Sequence, residues 1–154
     1  MSRSSKFPSV MFVCTGNICR SPFAAGLYAY IADDPETRSA SAGMAAVIDA
    51  SADPICKELA EAHGFELNAH RARQIETLDY YRFDYLIALD LGHYDFLQAT
   101  KPADCETQIQ TLLSFSADCK AVEVPDPFGR KLKDYKRAVD LIEIGVRAMM
   151  TALK

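Results

Sequence analysis

Val10-Met11-Phe12-Val13, followed at once by Thr15-Gly16-Asn17 and then Ser21-Pro22, constrains the fold more than any other part of the chain. A short continuous apolar run of β-formers, cut off by a turn signal, reads as a buried strand running into a loop. Ser21 is an N-cap candidate with proline at the first helical position, and Leu27, Tyr28 and Ile31 follow at helical spacing. A strand, a tight loop and a helix are therefore expected in the first thirty or so residues.

The pattern then repeats. Arg38 to Ala42 is a short strand candidate, and Asp53-Pro54 opens a second helix carrying Ile55, Leu59, Ala60 and His63, with Gly64 as its terminator. Phe83 to Leu89 is the clearest strand in the middle of the chain. Leu91 to Ala99 reads as a helix, Leu112-Leu113-Ser114-Phe115 as a fourth strand, and a last helix is expected from near Tyr135. Strands alternating with helices of this length predict one α/β domain over residues 1–154, with a central parallel sheet of about four strands and helices on both faces.

Composition narrows the class of function. The chain has 154 residues, 49% of them hydrophobic and 25% charged, which is ordinary for a globular domain and excludes collagen-like and disordered classes. Its net charge of −4 gives no general reason to expect nucleic-acid binding, since a strong polyanion binder usually shows a basic excess. No apolar run approaches the roughly 18 residues of a membrane span. Residues 1–9 are polar and read as a frayed start, not a signal peptide. With five cysteines and no leader, free thiols in a reducing cytoplasm are expected. Zinc is not expected, because no second Cys/His pair follows Cys14 and Cys19 at ligand spacing.

The loop Cys14-Thr15-Gly16-Asn17-Ile18-Cys19-Arg20-Ser21 is where chemistry is expected. In a parallel sheet, ligands bind at the carboxyl ends of strands, where the next helix begins. Backbone N–H groups curled inward at a helix N-terminus make a nest for a tetrahedral oxyanion. Arg20 adds a planar fork for two phosphate oxygens, and Cys14 sits at the base of the nest. These charges favour thiolate and predict a pKa well below the free value of about 8.5. With five Cys and nine Arg, bare Cys-x5-Arg spacing arises by chance roughly 0.3 times, and about 0.02 times once Ser must follow. A nucleotide loop does not fit, since there is no Gly-Lys-Ser/Thr ending and only one glycine. Loss of a phosphoryl group to a thiol needs a proton donor for the leaving oxygen, and Asp126, held between Pro125 and Pro127 with Phe128 behind, is the best candidate.

The segment from Cys14 to Pro22, together with Asp126-Pro127-Phe128, resembles the low-molecular-weight protein tyrosine phosphatases. Ser41-Ala42-Gly43, Gly64-Phe65, His70-Arg71-Ala72-Arg73-Gln74, Phe83-Asp84-Tyr85 and Leu89-Asp90 also match. The resemblance implies Cys14 as nucleophile, Arg20 as phosphate clamp and Asp126 as general acid and then base, through a phosphocysteine intermediate and with no cofactor or metal. It implies that Asn17, Ser21, Ser41 and His70 form a hydrogen-bond network around the loop, with Asn17 left-handed. Cys19, in the same loop, is expected to form a reversible disulfide with Cys14 under peroxide. Phosphate or sulfate is the anion implied for the loop, and a phosphotyrosine protein the partner.

Two departures stand out. Many members of that family carry a large aromatic residue near Val47 and a second aromatic where this chain has Gly129, so Val47 and Phe128 are left as the substrate walls. Thin walls are similar to those of bacterial members acting on autophosphorylated tyrosine kinases. The alternatives are an arsenate reductase on the same fold, or a non-catalytic phosphate-binding module. The first needs two further cysteines near the Leu86–Leu89 strand, where residues 83–97 contain none. The second is expected to have lost Cys14, Arg20 or Asp126, and all three are present.

Overall fold

The computed structural model describes residues 5–154. Four parallel strands, β1 (Val10–Cys14), β2 (Ser39–Gly43), β3 (Tyr85–Ala88) and β4 (Gln108–Thr111), form one sheet in the order β2-β1-β3-β4. Helices α1 (Arg20–Ala32), α2 (Pro54–Ala62) and α4 (Leu132–Leu153) cover one face, and α3 (Leu91–Thr100) packs on the other. The fully buried β1 explains why the first apolar run lacks alternation. Val10, Phe12 and Cys14 belong to the larger core under α1 and α4, while Met11 and Val13 belong to the core under α3. Burial on both faces is what a central parallel strand requires.

The α/β architecture expected from the sequence is present, with four local corrections. The fourth strand is Gln108–Thr111, not Leu112–Phe115, which forms a single 3-10 turn. An edge strand has less apolar cover, so Gln108-Ile109-Gln110-Thr111 alternates, and Ile109 alone among these four is buried. The apolar run that mimicked a strand instead plugs Leu112 against α4, where Gly145 leaves room for it. The last helix starts at Leu132, three residues earlier than expected, because the Asp134 carboxylate accepts the Lys131 N–H at 3.1 Å. Ser21 does not cap α1. Cys19 holds the N-cap position, Pro22 is the third helical residue, and the Ser21 hydroxyl is used in the loop instead. The frayed start also needs revision: Phe7 is buried with its ring edge-on to Tyr28, whose hydroxyl donates to the Pro8 carbonyl at 2.7 Å. Residues 1–4 lie outside the described residues.

Asp53 caps α2 as expected, accepting from Ile55 N at 2.8 Å with Pro54 at the first position. The chain reaches the sheet's carboxyl edge again at Val124, whose N–H donates to the Leu89 carbonyl at 2.9 Å. That bond brings residues 124–128 beside the loop that follows β1. Among the described residues, no helix is long and apolar enough to cross a membrane.

Candidate active site

The loop after β1 is shaped by its carbonyls. Those of Cys14, Thr15 and Gly16 accept from the amides of Met44, Ala45 and Val47, at 2.9, 3.0 and 3.0 Å. The Asn17 carbonyl accepts from His70 Nε2 at 2.7 Å, that of Ile18 from Asp53 N at 2.7 Å, and that of Cys19 from Phe23 N at 3.2 Å. Six successive carbonyls are therefore tied outward. No peptide bond in the described residues is cis. Across a trans peptide, the next N–H points opposite to the carbonyl, so the amides of residues 15–20 turn into the loop. This is a nest for an oxyanion, built by the surrounding backbone.

Side chains lock the same curve. Asn17 adopts φ +60°, a left-handed conformation that Asn tolerates better than most residues. Its amide donates to Ser21 Oγ at 2.8 Å and Ser41 Oγ at 3.0 Å, and its Oδ1 accepts from Arg73 N at 2.9 Å. Ser21 Oγ accepts from Asn17, and its hydrogen has two acceptors in reach, Cys14 Sγ at 2.8 Å and the more distant Ala42 carbonyl at 3.5 Å. A carbonyl only accepts, so the Asn17 contact places the His70 ring proton on Nε2. Burial pushes the His70 pKa down against the raising pull of the Asn17 carbonyl, the direction that favours the neutral ring. Gly43 lies so close under the loop that a Cβ there would strike the Thr15 carbonyl oxygen and crowd Asn17.

Arg20 is only 4% exposed. Its NH1 donates to Asp90 Oδ2 at 3.0 Å and to the Val124 carbonyl at 2.9 Å, and NH2 lies 3.7 Å from Asp126 Oδ2. Asp126 stands at the rim, its Oδ1 accepting the Phe128 N–H at 3.1 Å. Cys14, Arg20, Asp126, Val47 and Phe128 thus share one cavity of about 220 Å³, floored by the loop and open to solvent. Val47 and Phe128 are exposed, so Val47 is a rim residue rather than a core one. A larger groove near Arg38 and Phe83 lies at the opposite edge of the sheet, away from these groups.

Both loop thiols are buried, which the sequence does not reveal. Burial leads at Cys14 and pushes its thiol up, against the lowering pull of the Ser21 hydroxyl, the Arg20 charge and the amides of Ser21 and Asn17. Cys19 is raised first by its thiol contact with Cys56 and then by burial. Cys19, Cys56 and Tyr135 form a small buried cluster behind the loop. A Cys14–Cys19 disulfide would need Cys19 to leave Cys56. Cys105 packs in the core beneath α3, on the other face of the sheet.

Sequence reasoning missed three contributors: Asp90 as the anchor of Arg20, His93 beside it, and Gly43 as the point of closest approach. The pattern Asp90-x-x-His93 directly after a strand was a readable capping signal.

Residues 9–154 match the family model described as low molecular weight phosphotyrosine protein phosphatase. Among named relatives, the low molecular weight protein-tyrosine-phosphatase Wzb of Salmonella typhi is 31% identical over 147 residues, covering 96% of this chain and 95% of that one. Wzb of Escherichia coli K12 is 29% identical, covering 96% of both. The crystal structure of YfkJ from Bacillus subtilis superposes with a TM-score of 0.87 at 28% identity, covering 98% of this chain and 96% of that one. The tyrosine phosphatase Wzb from Escherichia coli K30, solved in complex with sulphate, gives 0.82 at 25% identity, covering 95% and 98%. A match over nearly the whole length, on a fold whose first loop forms an anion nest around a cysteine, makes this chain a member of the low molecular weight protein-tyrosine-phosphatase family.

Proposed function

We propose that Cys14 is the nucleophile of this tyrosine phosphatase, with Arg20 as clamp and Asp126 as general acid and then base. The observation that carries the assignment is the set of six outward carbonyls, which aims the loop's amides at the space above Cys14. With NH1 of Arg20 anchored, its Nε–NH2 edge grips two phosphate oxygens. The Cys14 thiolate attacks phosphorus in line, the bond from phosphorus to the tyrosine oxygen breaks, and Asp126 gives that oxygen its proton. Water then attacks the phosphocysteine and passes a proton to Asp126. Sulfur leaves as thiolate, and the Ser21 hydroxyl stabilises it. Arg20 and the fixed amides stabilise the charge that develops on the phosphoryl oxygens.

Hydrolysis of p-nitrophenyl phosphate and of a phosphotyrosine peptide at mildly acidic pH, run beside an arsenate-reduction assay, tests this reading. Phosphate release without arsenite is expected, and arsenate reduction without hydrolysis would overturn it. Arg20→Lys is expected to lower kcat/KM by about 10²–10³-fold, since an ammonium cannot reproduce the fork and abandons the Val124 carbonyl or Asp90. Near-parent rates in that variant would remove Arg20 from the clamp role.

The substrate assigned is a phosphotyrosine protein, and the thin walls fit a tyrosine kinase of bacterial type. Free cysteines at all five positions suit a reducing, cytoplasmic setting. Val47 offers the substrate ring area without stacking, which is worth roughly 0.5–1.5 kcal/mol beyond burial. Val47→Trp should therefore lower KM for aryl phosphates several-fold at nearly constant kcat, because the contact is equal in ground and transition states. At an exposed rim position the larger ring has room. An unchanged KM would show that Val47 is not a substrate wall.

A further inference from the structure

We propose that His93 and Thr15 form a positioning pair that fixes the nucleophile's half of the phosphate loop to the first turn of α3. Thr15 Oγ1 lies 2.9 Å from His93 Nε2. Asp90 N donates to Nδ1 at 3.2 Å, which makes Nδ1 the acceptor and leaves the ring proton on Nε2. Nε2–H therefore donates to the Thr15 hydroxyl. The Asp90 carboxylate also lies near the ring, with Oδ1 3.2 Å from Nδ1, and Oδ1 accepts the His93 N–H at 2.8 Å. The ring is fully buried, and burial, opposed by Asp90, pushes its pKa down to about 4. Neutral imidazole is the form this bonding needs, because a cation cannot accept from Asp90 N.

One helical turn consequently holds both ends of the loop. Asp90 holds Arg20 through Oδ2, and His93 holds Thr15, the residue next to Cys14. The amides of residues 15 and 16 border Thr15, so freedom at this side chain lets the amides nearest the sulfur drift. Preorganised donors count most where charge develops in the transition state. His93 touches no reacting atom, and its effect is expected in kcat rather than in KM.

The proposal rests on the loop being the phosphate site, which hydrolysis by the parent enzyme tests separately. His93→Phe keeps the bulk and burial but not the bonds, and Thr15→Val removes the hydroxyl at nearly constant shape. Each is expected to lower kcat for p-nitrophenyl phosphate by about 10–100-fold at nearly unchanged KM, less than the roughly 10²–10³-fold cost of deleting an oxyanion donor outright. The double variant should fall no further than the worse single one. His93→Gln, whose amide can both accept and donate, should recover part of the loss. Full activity in Thr15→Val, strictly additive losses in the double variant, or a His93→Phe loss confined to melting temperature would each overturn the pairing. Should His93→Phe fail to fold, Thr15→Val alone decides, by its kcat and KM.

Discussion

Cys14→Ser is expected to bring hydrolysis down to background while the loop still binds inorganic phosphate. The loop's shape does not depend on the sulfur: its carbonyls are held by Met44, Ala45, Val47, His70, Asp53 and Phe23, and Asn17 is held by Ser21, Ser41 and Arg73. A hydroxyl in place of the thiol keeps the nest but is a much weaker nucleophile. Steady-state assays together with calorimetric titration of phosphate separate the two properties. Turnover above background in Cys14→Ser would sink the covalent mechanism, and loss of phosphate binding with intact folding would mean the nest is not preformed. The parent thiol carries the same argument further. Burial raises it, whereas Ser21 Oγ at 2.8 Å, Arg20 and two amides favour thiolate, and the N-terminus of α1 adds to them. Alkylation rate against pH reads that balance directly. An inflection above the free value of about 8.5 is the direction burial gives, and one below it would show that the fixed charges prevail.

Legibility of the fold and site followed how local each signal was. β1, the loop and α1 could be read because the apolar run, the turn residues and the helix opening are consecutive in the chain. Asp53-Pro54 worked for the same reason: one side chain caps the amide two residues on. Leu112–Phe115 failed because an apolar run without period does not say whether it lies in a sheet or plugs a helix. What decided it was Gly145 on α4, 33 residues away in sequence, which leaves space for Leu112. Ser21 failed for the opposite reason, since a good capping residue was taken over by Cys14 and Asn17. Asn17, Ser21, Ser41 and His70 do meet around the loop, but no spacing in the chain joins residues 17 and 70, and only the resemblance suggested it. The Asp90–Arg20 contact spans 70 residues and exists because β3 lies next to β1 in the sheet.

Asp126→Asn should slow phosphotyrosine hydrolysis by about 10²–10⁴-fold, the range associated with a positioned general acid. The size of the loss should depend on the leaving group. A phenoxide of high basicity needs the proton as its bond to phosphorus breaks, whereas p-nitrophenolate leaves without much help. The geometry makes the substitution a clean one: Asn is nearly isosteric, and its Oδ1 can still accept the Phe128 N–H that holds the turn at 3.1 Å. Because the Asp126 side chain is 55% exposed at the rim, its neutralisation leaves no buried orphan and should barely change melting temperature. Removing its charge also frees the Arg20 NH2, 3.7 Å away, for phosphate, so affinity for inorganic phosphate should hold or rise while turnover falls. Rates against leaving-group pKa for parent and variant provide the measurement. A steeper dependence in Asp126→Asn is the signature of a lost proton donor. Parallel lines, with poor and activated leaving groups slowed equally, would mean that Asp126 acts only through the field around Arg20, and that the proton comes from elsewhere.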